Sequence, residues 1–260
     1  MDLQLKGKTA LVTGSTAGIG YATAKSLLAE GAIVYINGRK PESVQKAIEK
    51  LKSEVPNADA REAACDFSDV SDIDALFKKV PKVDILINNV GIFAPVPFTE
   101  IKDEDWFRFF EINVMSGVRL SRHYFPQMIE QNWGRIIFVS SESALNIPEE
   151  MIHYGMTKTA QLSVARGLAE LTKSTGVTVN SVLPGPTASE GLVDFIQLDD
   201  ASKARKEKDF FDNARPSSLI RRFAEPEEIA NLIVYVASPR SSATNGASLR
   251  VDGGLVKTIA

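Results

Sequence analysis

Short apolar segments alternate with helix-forming ones along the whole chain, and that alternation admits few folds. Segments 9–13, 33–36, 60–65, 83–87, 135–139, 177–182 and 247–251 read as strands. Between them, 19–30, 41–54, 71–80, 103–129, 153–174 and 226–237 carry helical periodicity. Gly31 stops the first helix, because glycine tolerates the left-handed position past a helix end. Pro41 opens the second, its fixed φ suiting a first helical turn. The strands are apolar on nearly every residue rather than on every other one. Both faces of the sheet must then be covered, which predicts an α/β fold: a Rossmann-like, doubly wound parallel sheet of about seven strands flanked by helices.

No internal repeat, low-complexity tract or linker divides the 260 residues, so one domain over 1–260 is expected. One stretch breaks the rhythm. Segment 190–222 follows a strand, yet it is long and densely charged through residues 202–209. It reads either as a solvated surface helix or as a flap over the ligand crevice, which lies beyond the carboxyl ends of strands in such sheets. The formal net charge of −3 gives no basic field for nucleic acid. No apolar run approaches the roughly 20 residues of a membrane span, and residues 1–8 carry charges in place of a signal's apolar stretch. Cys65 has no second cysteine to pair with, and His123 and His153 offer no zinc spacing beside it. A cytoplasmic setting is expected.

Between the first strand and the first helix stands Thr13-Gly14-Ser15-Thr16-Ala17-Gly18-Ile19-Gly20. A glycine-rich strand-to-helix turn lets backbone approach a pyrophosphate, and the helix N-terminus offers unpaired N–H groups to it. The spacing is G-x-x-x-G-x-G rather than G-x-G-x-x-G, and by itself it is equally a structural turn. Its place inside a strand–helix–strand unit favours nucleotide binding.

With the turn, Asp66, Asn88-Asn-Val-Gly91, Asn113, Ser141, Tyr154-x-x-x-Lys158 and Pro184-Gly185 follow in order. The set resembles the short-chain dehydrogenase/reductase family in its one-domain form, over nearly the whole chain from Lys8 to Gly254. Val90 departs from the family's usual alanine. The resemblance implies a seven-stranded sheet, a homo-oligomer, commonly a tetramer, and an oxidoreductase moving hydride between a nicotinamide cofactor and a small carbonyl or alcohol.

Tyr154 and Lys158, four apart in a helical segment, share one face. An ammonium nearby favours phenolate, so the pair can act as acid or base near neutrality. The resemblance makes Tyr154 the proton donor, with Lys158 binding the cofactor ribose and lowering the phenol's pKa. It makes Ser141, rather than Ser140 or Ser143, the group that holds the substrate oxygen. The resemblance implies that Asn113 breaks its helix locally and positions the lysine through a water. The resemblance also implies that Gly14, Thr16, Gly18, Ile19 and Gly20 cradle the cofactor, that Asp66 meets the adenine, and that Asn88 and Gly91 wall the adenine ribose. Pro184, Gly185, Thr187 and Ser189 support the nicotinamide carboxamide, Ser189 replacing a frequent threonine.

NAD-dependent enzymes on this fold place an acidic residue at the end of the second strand. Here that position is Gly38, followed by Arg39, where the family grips a 2′-phosphate. NADP(H) is therefore expected over NAD(H), although Asn37-Gly38 is also a common turn and Ala17 stands where many NADP users have a base. A nucleotide-sensing scaffold on the same fold is the alternative to an enzyme. A nucleotide-sugar epimerase shares the tyrosine/lysine pair but needs a larger C-terminal part than follows Lys158. The substrate is not legible. Glu142, Glu149 and Glu150 suggest a cationic or polyhydroxylated one, whereas Phe210, Phe211 and Leu219 suggest an apolar pocket.

Overall fold

The computed structural model describes residues 1–190 and 203–259. Its sheet contains β1 (Thr9–Val12), β2 (Ile33–Ile36), β3 (Asp59–Glu62), β4 (Ile85–Asn88), β5 (Gly134–Val139), β6 (Val177–Pro184) and β7 (Ser248–Val251). All pairs are parallel, in the order β3-β2-β1-β4-β5-β6-β7. The chain order reverses between β1 and β4, where the strand ends splay their connections to opposite sides and open a crevice. Val12 of β1 is in register with Ile36 of β2 on one side and Ile87 of β4 on the other.

The unbroken apolar strands are explained by two cores. Ala10, Val12, Ile85, Ile87, Ile137 and Val139 face one core; Leu11, Leu86, Ile136 and Phe138 face the other. The first core is closed by α1 (Gly18–Ala29), α2 (Pro41–Glu54) and α8 (Pro226–Ala237), through residues such as Leu27, Leu51 and Ile233. The second is closed by α3 (Val70–Lys79), α5 (Ser116–Glu130) and α6 (Ile152–Glu170), through Leu76, Tyr124 and Ala165. Each large side chain so buried contributes about 1.5–3 kcal/mol.

Most boundaries shift by a residue or two, and three elements differ in a way that matters to the architecture. β3 is an edge strand and ends at Glu62, though Ala63 N and Cys65 N still donate to Ile36 O and Gly38 O. α6 ends at Glu170 rather than 174. The single helix expected over 103–129 is two, α4 (Asp103–Phe110) and α5, joined by a π turn at Glu111–Met115. Residues 191–202 of the charged stretch lie outside the described residues. The rest contains α7 (Lys203–Asn213), which is both surface and core: Phe211 is fully buried against Phe223, while Lys208 pairs with Asp212 on the outside.

Candidate active site

A cavity of about 580 Å³ opens at the carboxyl ends of β1, β4, β5 and β6. Its floor is the glycine turn. Gly14 and Gly18 take left-handed φ values of 59° and 53°, which glycine adopts without strain. At Gly20 a Cβ would stand 2.2 Å from Gly14 O, so α1 packs on its own turn only through glycine. Asn37 Oδ1 accepts from Gly14 N at 2.9 Å, and Asn37 N donates to Ser15 Oγ at 2.9 Å. From the other flank, Asn89 Nδ2 donates to Thr13 O and Gly14 O at 2.9 and 3.0 Å. The start of α1 has no side-chain cap, so its first N–H groups are left for a ligand. Gly18 and Ile19 line the cavity there, and this donor set fits a dinucleotide's pyrophosphate.

Thr16 packs toward Gly38, where a Cβ would come 2.6 Å from Thr16 Cγ2. Arg39 is exposed beside Asp66. The Asp66 carboxyl is held below its usual range, first by hydrogen bonds from Ser68 and then by the Arg39 charge. Asn88 does not reach the cavity. Its side chain turns to α5, donating to Ser121 Oγ at 3.3 Å, and the next residue, Asn89, lines the cavity instead. Strand alternation sends these neighbours to opposite faces. Gly91 lies where a Cβ would stand 3.3 Å from Lys158 Nζ.

Ser141 follows the end of β5, its Oγ accepting from Ser143 N at 3.1 Å. α6 carries Tyr154 and Lys158 on one face, with Nζ 5.7 Å from the phenol ring centre. The expected lowering of the phenol is not found: burial dominates and pushes Tyr154 up to about 12. A hydrogen bond with Ser141 pulls the other way, the Glu142 charge pushes up, and Arg215 draws down. Burial also brings the Lys158 ammonium down to about 8. Such a phenol is protonated at neutral pH and can donate a proton.

Lys158 Nζ donates to Val139 O at 3.1 Å and to Gln161 Oε1 at 3.3 Å. Gln161 Nε2 in turn donates to Asn113 O at 2.5 Å. The π turn frees that carbonyl, and Asn113's side chain holds Ile92 by two bonds, accepting from its N at 2.7 Å and donating to its O at 3.0 Å. The Gln161 amide thus joins Lys158 Nζ to the Asn113 carbonyl. Sequence reasoning missed Gln161; its only signal was a place three residues beyond Lys158 on the same helix face.

Pro184 ends β6 and Gly185 follows it. Gly185 lies against β7, where a Cβ would stand 2.8 Å from Asp252 Cα, and Thr187 Oγ1 donates to Gly185 O at 2.9 Å. Ser189 closes toward the turn, its Cβ 3.1 Å from where a Gly18 Cβ would be. Of the carboxylates named from sequence, Glu142 and Glu150 line the cavity and Glu149 does not. Phe210 lines it too, while Phe211 is core and Leu219 is exposed. Arg215, also on the lining, was not foreseen.

Among the described residues no His/Cys/Asp/Glu group is arranged to hold a metal, and no helix is long and apolar enough to cross a membrane. The profile of the short chain dehydrogenase family matches residues 8–197. The chain is 49% identical to the uncharacterized oxidoreductase YvaG of Bacillus subtilis, over all of both chains. Its fold matches that of L-sorbose reductase from Gluconobacter frateurii, solved with NADPH and L-sorbose, with a TM-score of 0.92, 30% identity and full coverage of both chains. It also matches a 7α-hydroxysteroid dehydrogenase solved with NADH and 7-oxo glycochenodeoxycholic acid, with a TM-score of 0.85, 28% identity, and 100% and 98% of the two chains covered. The chain belongs to the short-chain dehydrogenase/reductase family, as an oxidoreductase that uses a nicotinamide cofactor on a CH–OH or C=O group of a small molecule.

Proposed function

We propose that the chain is a one-domain, NADPH-preferring carbonyl reductase in which Tyr154 gives the proton, with alcohol oxidation as the reverse. The observation that carries this is the geometry: Ser141, the half-buried Tyr154 and the buried Lys158 line one cavity, with the Lys158 Nζ 5.7 Å from the phenol ring centre. When bound, the nicotinamide supplies or takes the hydride. Ser141 holds the substrate oxygen, and the Tyr154 O–H passes its proton to that oxygen as negative charge builds there. Lys158, held by Val139 O and Gln161 Oε1, is placed to grip the cofactor ribose and to stabilise the phenolate left behind.

The structural relatives include one with NADPH and one with NADH, so preference rests on this chain's own residues. Thr16 leaves no room for a Cβ at position 38, and with it no acidic side chain to repel a 2′-phosphate. Arg39, exposed beside that position, is free to pair bidentately with the phosphate. A homotetramer in the cytoplasm belongs to the same reading; exposed Phe107 and Phe110 on α4 supply apolar surface for a subunit contact.

Tyr154→Phe tests the reading. Turnover should fall at least about 10²-fold, with cofactor affinity, read by fluorescence titration, unchanged. Near-wild-type turnover where chemistry limits the rate overturns it.

A further inference from the structure

Beyond Ser141 the cavity ends in three charged side chains brought from distant parts of the chain. Arg215, just past α7, is 8% exposed. Its Nε donates to Glu142 Oε1 at 3.3 Å, and its Nη1 donates to Glu150 Oε1 at 3.2 Å and to Ala214 O at 2.8 Å. Nη2 makes no hydrogen bond to a described residue. Glu142 is buried, whereas the Glu150 side chain is 43% exposed and engaged through Oε1 alone. The cluster therefore presents an unused pair of N–H donors beside an unused carboxylate oxygen. Phe93, Met151 and Phe210 line the same cavity with apolar surface.

These groups discriminate among substrate classes. Two carboxylates share one guanidinium, so the cluster is negative when both are ionised. It is neutral when Glu142, pushed up by burial against the pull of Arg215, keeps its proton. In neither state does it attract an anion. A cation would meet the Nη2 donors. A hydrocarbon chain would strip water from Nη2 and from Glu150 Oε2 and replace it with nothing, which is costly for charged groups. A neutral compound with hydroxyls satisfies both: one oxygen accepts from Nη2, a hydroxyl donates to Glu150, and its C–H faces lie on the apolar lining.

We propose that this end of the cavity binds a neutral polyhydroxylated carbonyl compound, a ketose and its polyol, through Arg215 and Glu150. The inference rests on the reductase reading above. The ketose carbonyl takes a hydride from the reduced nicotinamide at carbon and a proton from Tyr154 at oxygen. The products are the secondary alcohol of the polyol and the oxidised nicotinamide.

The test compares kcat/KM for a panel of ketopentoses and ketohexoses that includes D-xylulose, for 2-pentanone and for 5-keto-D-gluconate. It uses wild type, Glu150→Leu and Arg215→Lys. The best ketose should exceed both comparison substrates by at least about tenfold, the discrimination expected from one hydrogen bond to a charged group. Glu150→Leu, at a half-buried position, should lose about that factor through the ketose KM, so that the ratio of kcat/KM for ketose over 2-pentanone falls about tenfold. Arg215→Lys, which keeps the charge and loses the fork, should do the same. Preference for 2-pentanone or 5-keto-D-gluconate, or ketose kinetics unmoved by both variants, overturns the inference. If no ketose reacts while either other carbonyl shows Tyr154-dependent turnover, the inference fails and the reductase reading stands. Absence of turnover on every carbonyl overturns both.

Discussion

Lys158 carries the most measurable consequence of burial at the site. It is 4% exposed, and its ammonium is brought down from 10.5 to about 8. A lysine that gives up its proton more readily when folded costs stability while both states are charged. That cost is complete below pH 8, is relieved as pH rises from 8 to 10.5, and is gone above 10.5. At about 1.4 kcal/mol per tenfold change, it comes to about 3 kcal/mol at pH 7 and about 1 kcal/mol at pH 10. Lys158→Met keeps the length and removes the titration. The stability of wild type minus that of the variant should then increase by about 2 kcal/mol between pH 7 and pH 10. Taking the difference cancels the opposing groups. Tyr154 and Cys65, both raised to about 12, lose stability above pH 10 and pH 9 respectively, but in both proteins alike. Urea unfolding followed by the fluorescence of Trp106 and Trp133 gives the two stabilities without reference to turnover. A difference that stays constant across this range refutes the claim that burial depresses the ammonium.

Substitutions at two further positions probe other roles. Arg39→Ala should lower the ratio of kcat/KM for NADPH over NADH at least about tenfold; an unchanged ratio removes Arg39 as the selector. Gln161→Leu leaves Lys158 Nζ and Asn113 O each short of a partner, so kcat should fall about tenfold. The alkaline limb of the reduction pH–rate profile should also move to lower pH, since the ammonium loses an acceptor that favours its charged form. Gln161→Glu should move that limb the opposite way, and a profile unmoved in both variants makes Gln161 a packing residue.

What could be read from the sequence was whatever the chain encodes locally. Continuous apolar strands announced a sheet covered on both sides, and an amphipathic segment such as 226–237 matched the structure to the residue. Tyr154 and Lys158 share a face because they share a helix. Longer-range choices were not legible. Whether Asn88 or Asn89 meets the cavity depends on where β4 stops, a matter of one residue that reverses the face. The direction of the phenol's shift was misjudged because the sequence shows the charge four residues away but not the burial around it. Arg215 joins Glu142 across 73 residues, and no spacing rule links them.

The glycine turn is tied to β2 through Asn37 and to the β4 connection through Asn89 before any ligand arrives. Folding has already fixed the backbone that a dinucleotide needs, so binding spends little conformational entropy on it. General affinity for dinucleotides is thus stored in the scaffold, while Arg39, the proposed selector between them, hangs outside that scaffold. Arg39 forms no part of the stitching, being exposed beyond the end of β2. On that reading affinity and preference are separable: losing Arg39 would change which dinucleotide is favoured without undoing the turn that receives either.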